Sequence, residues 1–115
     1  MNKLSRISIV IINYNTFDLT NNCIQSIYEQ TKYGNFEIIL VDNASTQCDP
    51  ELFKSKYPNI RLLKSSINLG FASGNNLGIK NAQGEFILLL NSDTELLNDA
   101  ITKAIVIFEQ EANIG

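Results

Sequence analysis

The sequence has no histidine and no tryptophan, and only two of its 115 residues are cysteines. Because histidine and cysteine are the usual ligands of zinc, we do not expect a zinc site. Cys23 falls in an apolar helical pattern and Cys48 in a polar stretch. We therefore predict two unpaired thiols in a reducing cytosol.

Positive charge and long apolar runs are also scarce. Nine Lys and Arg residues stand against twelve Asp and Glu residues, for a net charge of −3. This balance provides no positive field for a polyanion, so nucleic acid is not an expected partner. No apolar stretch approaches the roughly 20 residues that a membrane-spanning helix needs, and the run at residues 7–12 is too short for a signal peptide. We expect a cytoplasmic protein.

Four short apolar runs have the length of β-strands. They occupy residues 7–12, 36–41, 60–64 and 85–90. The first, second and fourth are almost continuously apolar, which is typical of strands covered on both faces in a parallel sheet. The third run is shorter and more polar, which favours an edge strand.

Helical patterns occupy the segments between and after these runs, at residues 16–30, 50–57, 75–81 and 98–112. Asp49 and Pro50 predict the start of the second helix, and Asn98 is the predicted N-cap of the last. The first helix carries an apolar stripe of Leu19, Cys23, Ile24, Ile27 and Tyr28. The alternation predicts one α/β domain over residues 1–115, with a mostly parallel sheet and helices on both faces.

Three of the predicted strands end in polar clusters. These clusters are NYN at residues 13–15, DNAS at residues 42–45 and NSDTE at residues 91–95. In an open parallel sheet, ligands bind beyond the carboxyl ends of the strands. We therefore predict that the three clusters meet at one edge of the sheet and form one site.

Each cluster has a chemical interpretation and a structural one. Asp93 can coordinate Mg²⁺ or Mn²⁺, since such ions bind one or two carboxylates together with substrate phosphates. Alternatively, Asp93 and Thr94 form a turn or cap the next helix. Asp42 and the residues after it either bind a base or a sugar or form an Asx turn. Residues 13–15 either stack against a ligand and bond to it or form a solvated loop.

The segment NLGFASGNNLG, residues 68–78, places Gly70, Gly74 and Gly78 four residues apart. It does not match the dinucleotide fingerprint G-x-G-x-x-G, and the sequence has no G-x-x-x-x-G-K-[ST] phosphate loop. The glycines permit tight turns and close helix packing, or the amides around them face a ligand.

Taken together, the segments ISIVIINYN, EIILVDNAST and NLGFASGNNLGIKNAQGEFILLLNSDTEL resemble the successive motifs of the family 2 glycosyltransferases. The resemblance spans residues 7–107. Members of this family are inverting enzymes of the GT-A fold, whose first half is a Rossmann-like nucleotide-binding unit. The resemblance implies a nucleotide diphosphate-sugar donor, a saccharide or lipid-linked acceptor, and Mg²⁺ or Mn²⁺ as cofactor.

The resemblance also implies roles for individual residues. Asp93 falls where the family's Asp-x-Asp motif binds the metal on the diphosphate. Asn91 stands in place of the first Asp, a variant similar to that of bacterial rhamnosyltransferase-like members, and it would weaken metal binding. The residues implied to bind the nucleotide-sugar are Ile12, Asn13, Tyr14, Asn15, Asp42, Asn43, Asn68, Gly70, Asn76, Asn91 and Ser92.

The family's catalytic base, which deprotonates the acceptor hydroxyl, is expected beyond residue 115. We therefore interpret the chain as a donor-binding region that does not transfer sugar efficiently by itself. In the complete protein it would work in the cytoplasm or at the inner face of the membrane. Apolar surface left uncovered on this region would favour homo-oligomers.

Three other classes of protein compete with this interpretation. A nucleotidyltransferase would carry a Gly-rich basic loop where this sequence has NYNTFD, and a phospho-receiver domain would carry an acidic pair where it has Asn13. Neither pattern is present. A non-catalytic nucleotide-binding or assembly module is the alternative that the sequence leaves open.

Overall fold

The computed structural model describes residues 6–114, and the side chains of residues 6–110. Strands and helices alternate along the whole of this range. The elements are β1 (Ile7–Asn13), α1 (Phe17–Gln30), β2 (Phe36–Asn43), α2 (Glu51–Lys56), β3 (Arg61–Ser65), α3 (Gly70–Asn81), β4 (Phe86–Leu90) and α4 (Ala100–Ile114). The four strands form one parallel sheet in the order β3-β2-β1-β4. The predicted α/β class, parallel sheet and edge position of the third strand are confirmed.

Helices cover both faces of the sheet, as predicted. On one face α1, α2 and α4 pack against alternate residues of β1 and β2, and this layer holds the larger core. Its fully buried side chains include Ile9, Ile11, Ile24, Ile38, Leu40, Phe53 and Ile105. On the other face α3 packs alone, over a smaller cluster of Val10, Ile39 and Val41 with partly buried Ile12, Leu63 and Leu77. The alternation of strand side chains therefore supplies two apolar layers of unequal size.

Helix α3 lies unusually close to the sheet because two of its glycines face the strands. A Cβ atom on Gly78 would lie 2.4 Å from Val10 Cγ1, which no real side chain permits. A Cβ atom on Gly74 would lie 3.2 Å from both Ile12 Cδ1 and Asn43 Nδ2. The close-packing interpretation of the glycine spacing is thus correct for these two positions.

The prediction that the fourth strand is covered on both faces is wrong. β4 lies at an edge of the sheet, and Ile87 and Leu89 are 42% and 47% exposed. The reason is that α3 packs over β1 and β2, away from β4, so that no helix of the described residues covers the same face of β4. The continuous apolar sequence of a strand cannot say which of its faces its own chain will cover.

Two helix boundaries also differ from the prediction. α3 begins at Gly70 rather than at residue 75, because packing on the sheet outweighs the low helix propensity of its glycines. α4 begins at Ala100, and its cap is Asp99 rather than Asn98, since Asp99 Oδ1 accepts the Thr102 N–H at 3.3 Å.

The apolar stripe predicted for α1 is only partly buried. Cys23, Ile24 and Ile27 are fully buried, whereas Leu19 and Tyr28 are 49% and 40% exposed. Cys23 and Cys48 are unpaired, as predicted. Within residues 6–114, no helix has the length and apolar character needed to cross a membrane.

Candidate functional site

An open cleft of about 470 Å³ lies beyond the carboxyl ends of the strands. Residues from all three polar strand ends and from the start of α3 reach it, so the predicted meeting of the clusters at one edge is confirmed. The predicted site residues that line the cleft are Ile12, Tyr14, Asn43, Asn68, Gly70, Asn91, Ser92 and Asp93. Asn13, Asn15, Asp42 and Asn76 do not line it.

Asn13 lies behind the cleft and links the ends of β1 and β2. It is 3% exposed, and its Nδ2 donates to Asp42 Oδ1 at 2.8 Å and to Ser45 Oγ at 3.1 Å. Its Oδ1 accepts the hydroxyl groups of Thr16 at 3.1 Å and Thr20 at 2.8 Å. Both ends of the amide are therefore used within the protein.

Asp42 is equally enclosed. It is 2% exposed, and its second oxygen accepts the Ser45 N–H at 3.0 Å. Both carboxylate oxygens thus have protein partners, one from β1 and one from the loop after β2. The Asx-turn interpretation describes the geometry of Asp42 in this structure.

Asn15 connects the two loops on the outside. It has a left-handed backbone, with φ of 52°, and its Oδ1 accepts the N–H groups of Thr46 at 2.8 Å and Gln47 at 2.9 Å. Its own N–H donates to Ser45 Oγ at 3.0 Å. Asparagine tolerates this conformation better than most residues. These hydrogen bonds hold the loop after β1 against the loop after β2, directly beside the cleft.

Asp93 differs from these residues because its carboxylate makes no hydrogen bond within the part of the chain that the structure describes. The side chain is exposed and lines the cleft. The backbone around it forms a turn, in which the Thr94 N–H donates to the Asn91 carbonyl at 3.0 Å. The helix-capping alternative is wrong, because α4 begins seven residues later and its cap is Asp99.

Cys23 lies beneath the Asn91 end of the cleft. Its thiol donates to the Asn91 carbonyl, with a sulfur–oxygen distance of 3.7 Å. Burial, and secondarily the negative charge of Asp93, raises the pKa of the Cys23 thiol to about 11. The thiol is therefore protonated at neutral pH and is not a nucleophile there.

Among the cleft-lining residues that the structure describes, Asp93 has the only charged side chain. No lysine or arginine is among these described lining residues. Within the described residues, no three His, Cys, Asp or Glu side chains come together as a ready metal site. A divalent ion here would need further oxygen ligands from a bound substrate or from water, which is the ordinary situation for Mg²⁺.

The cleft also has lining residues that sequence reasoning missed, namely Thr16, Leu19, Phe71 and Leu90. Phe71 is 64% exposed and follows Gly70 in the first turn of α3. An aromatic residue beside a helix-starting glycine was a usable signal for this position. Leu19 gave no such signal, because its spacing matches the buried stripe of α1. Asn76, a predicted site residue, is exposed on α3 away from the cleft lining.

The sequence model of the family described as "Glycosyl transferase family 2" matches residues 8–115. The chain belongs to this family. It is 36% identical over 103 residues to the poly(ribitol-phosphate) beta-glucosyltransferase of Bacillus spizizenii, an alignment that covers 85% of this chain and 16% of that protein. It is 39% identical over 90 residues to the glycosyltransferase GlyG of Streptococcus pneumoniae, covering 76% of this chain and 30% of that protein.

A solved structure gives the same result at the level of the fold. The chain matches S. aureus TarS 1-349 in complex with UDP-GlcNAc with a TM-score of 0.78 and 27% identity, covering 92% of this chain and 31% of that one. The fold is that of the GT-A glycosyltransferases, as predicted. The chain thus spans less than a third of the length of each of these three relatives.

Proposed function

We propose that the cleft binds the nucleoside diphosphate of a nucleotide-sugar, and that a protein carrying this domain transfers the sugar to a saccharide or lipid-linked acceptor with inversion. The observation that carries the proposal is the composition of the cleft lining. Among the described residues, two aromatic rings, several amides and hydroxyls, and one unpartnered carboxylate surround the cleft, with no cationic side chain. Family membership and the UDP-GlcNAc complex of TarS support the same ligand class.

The residues divide into two groups by the hydrogen bonds they already make. Tyr14, Asn68 and Ser92 line the cleft, and we assign base stacking to the half-exposed Tyr14 ring. We assign polar ligand contacts to the Asn68 Nδ2, since its Oδ1 already accepts the Gly70 N–H at 2.9 Å, and to the Ser92 hydroxyl, which has only a long contact of 3.5 Å with the Thr16 hydroxyl. Asn13, Asn15 and Asp42 are engaged with each other and with neighbouring loops. Their role is to hold the loops that carry the first group.

Asp93 is the residue we assign to a divalent metal, Mg²⁺ or Mn²⁺. A diphosphate carries strong negative charge, and a cleft whose only charged side chain is also negative cannot neutralise it. The donor set fits a hard cation, because a carboxylate oxygen from Asp93 would act together with phosphate oxygens and water. Such an ion, when bound, supplies Lewis-acid stabilisation of the departing diphosphate. With Asn91, two residues before Asp93, in place of a second acid, we expect modest metal affinity.

The base that deprotonates the acceptor hydroxyl remains to be assigned. Among the described cleft-lining residues, Asp93 is the only one with a carboxylate, and we assign this carboxylate to the metal. We therefore expect the base from the part of the longer relatives that this chain does not cover. General-base assistance contributes roughly 10²- to 10⁴-fold to such reactions, so we expect the 115 residues alone to bind donor weakly and not to turn over efficiently.

The same proposal implies a cellular location and an association state. Since the donor is a nucleotide-sugar and the acceptor can be lipid-linked, we expect sugar transfer to take place in the cytoplasm or at the inner face of the membrane. Exposed Ile87 and Leu89 on the open edge strand would favour self-association of the isolated chain.

The test is a calorimetric titration of the chain with UDP, GDP and dTDP, each with and without Mn²⁺. We expect at least one of the three to bind measurably in the presence of Mn²⁺ and much more weakly without it. Absence of binding by all three with metal present would contradict the proposed function. Equal binding with and without metal would contradict the assignment of Asp93.

A further inference from the structure

Asn43, the last residue of β2, is 2% exposed and is bonded to the backbone at the start of α3. Its Nδ2 donates to the Gly70 carbonyl at 3.0 Å, and its Oδ1 accepts the Leu69 N–H at 2.9 Å. The amide thus engages the backbone through its donor and its acceptor at once, as a neighbouring strand would. Little of this side chain remains for a ligand.

The first turn of α3 depends on these contacts because it has little support of its own. The N-cap residue of α3, Leu69, makes no capping hydrogen bond with its side chain. Gly70 has a left-handed backbone, with φ of +78°. The Gly70 N–H donates to Asn68 Oδ1 at 2.9 Å, but Asn68 belongs to the same loop, so this hydrogen bond does not connect the turn to the sheet. Asn43 is therefore the link from this turn to the sheet.

The packing around Asn43 makes the link direct. A Cβ atom on Gly74, one turn further along α3, would lie 3.2 Å from Asn43 Nδ2. The helix backbone therefore rests on the amide itself, with no side chain between them. A change in the size or hydrogen bonding of residue 43 must move the start of α3 or leave its carbonyl and N–H groups unpaired.

The turn that Asn43 holds forms part of the cleft. Asn68, Gly70 and Phe71 line the cleft on the side of this turn. Residues 91–93, which follow β4, line it on the other side of β1. We propose that Asn43 is a positioning residue, which sets the distance between these two parts of the cleft by fixing the first turn of α3. It acts on a bound nucleoside diphosphate through that turn and not through a ligand contact of its own. This inference rests on the proposed function for the identity of the ligand.

The experiment combines two measurements on Asn43→Leu, which keeps side-chain size and neutrality but removes both hydrogen bonds. In the ligand-free chain, amide hydrogen exchange of Leu69 should become roughly tenfold faster. Affinity for the diphosphate that wild type binds best among UDP, GDP and dTDP, with Mn²⁺ present, should fall roughly tenfold. Asn22→Leu is the matched control, since Asn22 is exposed on α1 and its side chain makes no hydrogen bond within the described residues. It should change neither quantity.

The combination of results decides between roles. Weaker affinity with unchanged exchange at Leu69 would make Asn43 a direct ligand contact and would overturn the inference. Faster exchange with unchanged affinity would make it a purely structural residue and would also overturn it. If Asn43→Leu does not fold, Asn43→Thr offers a smaller neutral side chain for the same two measurements. Failure of the wild-type titration itself would contradict the proposed function, and the inference with it, before any variant is made.

Discussion

The two ends of the parallel sheet use carboxylates in opposite ways. At the amino end, Glu37 of β2 is 5% exposed and every oxygen has partners. Oε2 accepts the Ser8 hydroxyl at 2.5 Å and the Gln83 N–H at 2.7 Å, and Oε1 lies 3.4 Å from Arg61 Nη1. At the carboxyl end, Asp93 is exposed in a cleft and makes no hydrogen bond within the described residues.

This difference separates structural carboxylates from candidate functional ones. The group around Glu37 ties β1, β2, β3 and the loop before β4 together, and Ser8 also accepts the Gly84 N–H at 2.7 Å. A buried charge with complete hydrogen bonding is stable but has nothing left to offer a ligand. Asp93 makes no hydrogen bond within the described residues, so its carboxylate oxygens are free to bind a cation.

Asp42 shows that the end of the sheet at which a carboxylate lies does not by itself decide whether that carboxylate is engaged or free. It lies at the carboxyl end, close to the cleft, yet both of its oxygens are occupied as in Glu37. The carboxyl end thus contains an inner layer of satisfied polar groups and an outer layer of free ones. The inner layer holds the loops, and the outer layer is exposed to a ligand.

The largest expected effect comes from breaking the amino-end network. Glu37→Gln removes the charge that Arg61 faces and places an amide nitrogen against donors. We expect a loss of about 2–3 kcal/mol in the free energy of unfolding, measured by urea denaturation. Nucleoside diphosphate affinity should change less than about twofold, because additivity holds for distant sites.

Glu51→Gln is the control for that experiment. Glu51 pairs with Lys64 at 2.7 Å, but both side chains are 51% exposed, so removing the pair should destabilise the fold much less than Glu37→Gln does. Equal destabilisation by the two variants would show that burial of the Glu37 network contributes nothing, and the comparison between the two ends would fail.

The next effect in size is expected at the other end. Asp93→Asn should weaken metal-dependent binding of the nucleoside diphosphate at least roughly tenfold, as loss of a metal ligand does. Thermal stability without metal should stay within about 0.5 kcal/mol of wild type, since Asp93 has no partner to lose. Glu95→Gln, two residues further along and outside the cleft lining, is the matched control. A stability loss in Asp93→Asn with intact binding would return Asp93 to a structural role.

The smallest effect is a pH dependence at the amino end. Burial alone would raise the pKa of Glu37, but hydrogen bonds from Ser8, Gln83 and Arg61, together with the positive charge of Arg6, outweigh it, and its pKa lies below the ordinary 4.5. A carboxyl whose folded-state pKa is lowered stabilises the fold fully above its unfolded-state pKa, and this contribution disappears as pH falls through the folded-state pKa.

Urea denaturation of wild type and Glu37→Gln between pH 7 and pH 3 measures this contribution. The difference in unfolding free energy between the two proteins should be constant down to about pH 5 and then shrink as acid protonates Glu37. A difference that grows on acidification would reverse the sign of the pKa shift.

The alternation of apolar runs and helical patterns was enough to predict the class of fold, because buried parallel strands and amphipathic helices each need a distinct apolar period. The polar strand ends predicted the edge at which the cleft lies, because parallel strands all end on the same side. The order of the strands in the sheet could not be predicted from the sequence. The exposed face of β4 could not be predicted either, because its residues are apolar whether or not a helix covers them.

The sequence placed Asn13, Asn43 and Asp93 in one predicted site, and the family resemblance implied that Asn13 and Asn43 bind the nucleotide-sugar and Asp93 the metal. Their chemistry alone could not separate them, since an amide or carboxylate is free or engaged according to which neighbours the fold brings within about 3 Å. Those neighbours come from distant segments: Asp42 for Asn13, and Gly70 for Asn43. The sequence by itself determined which side chains reach the carboxyl edge of the sheet. Only the tertiary structure decided which of them bond to each other and which, like Asp93, remain open to a ligand.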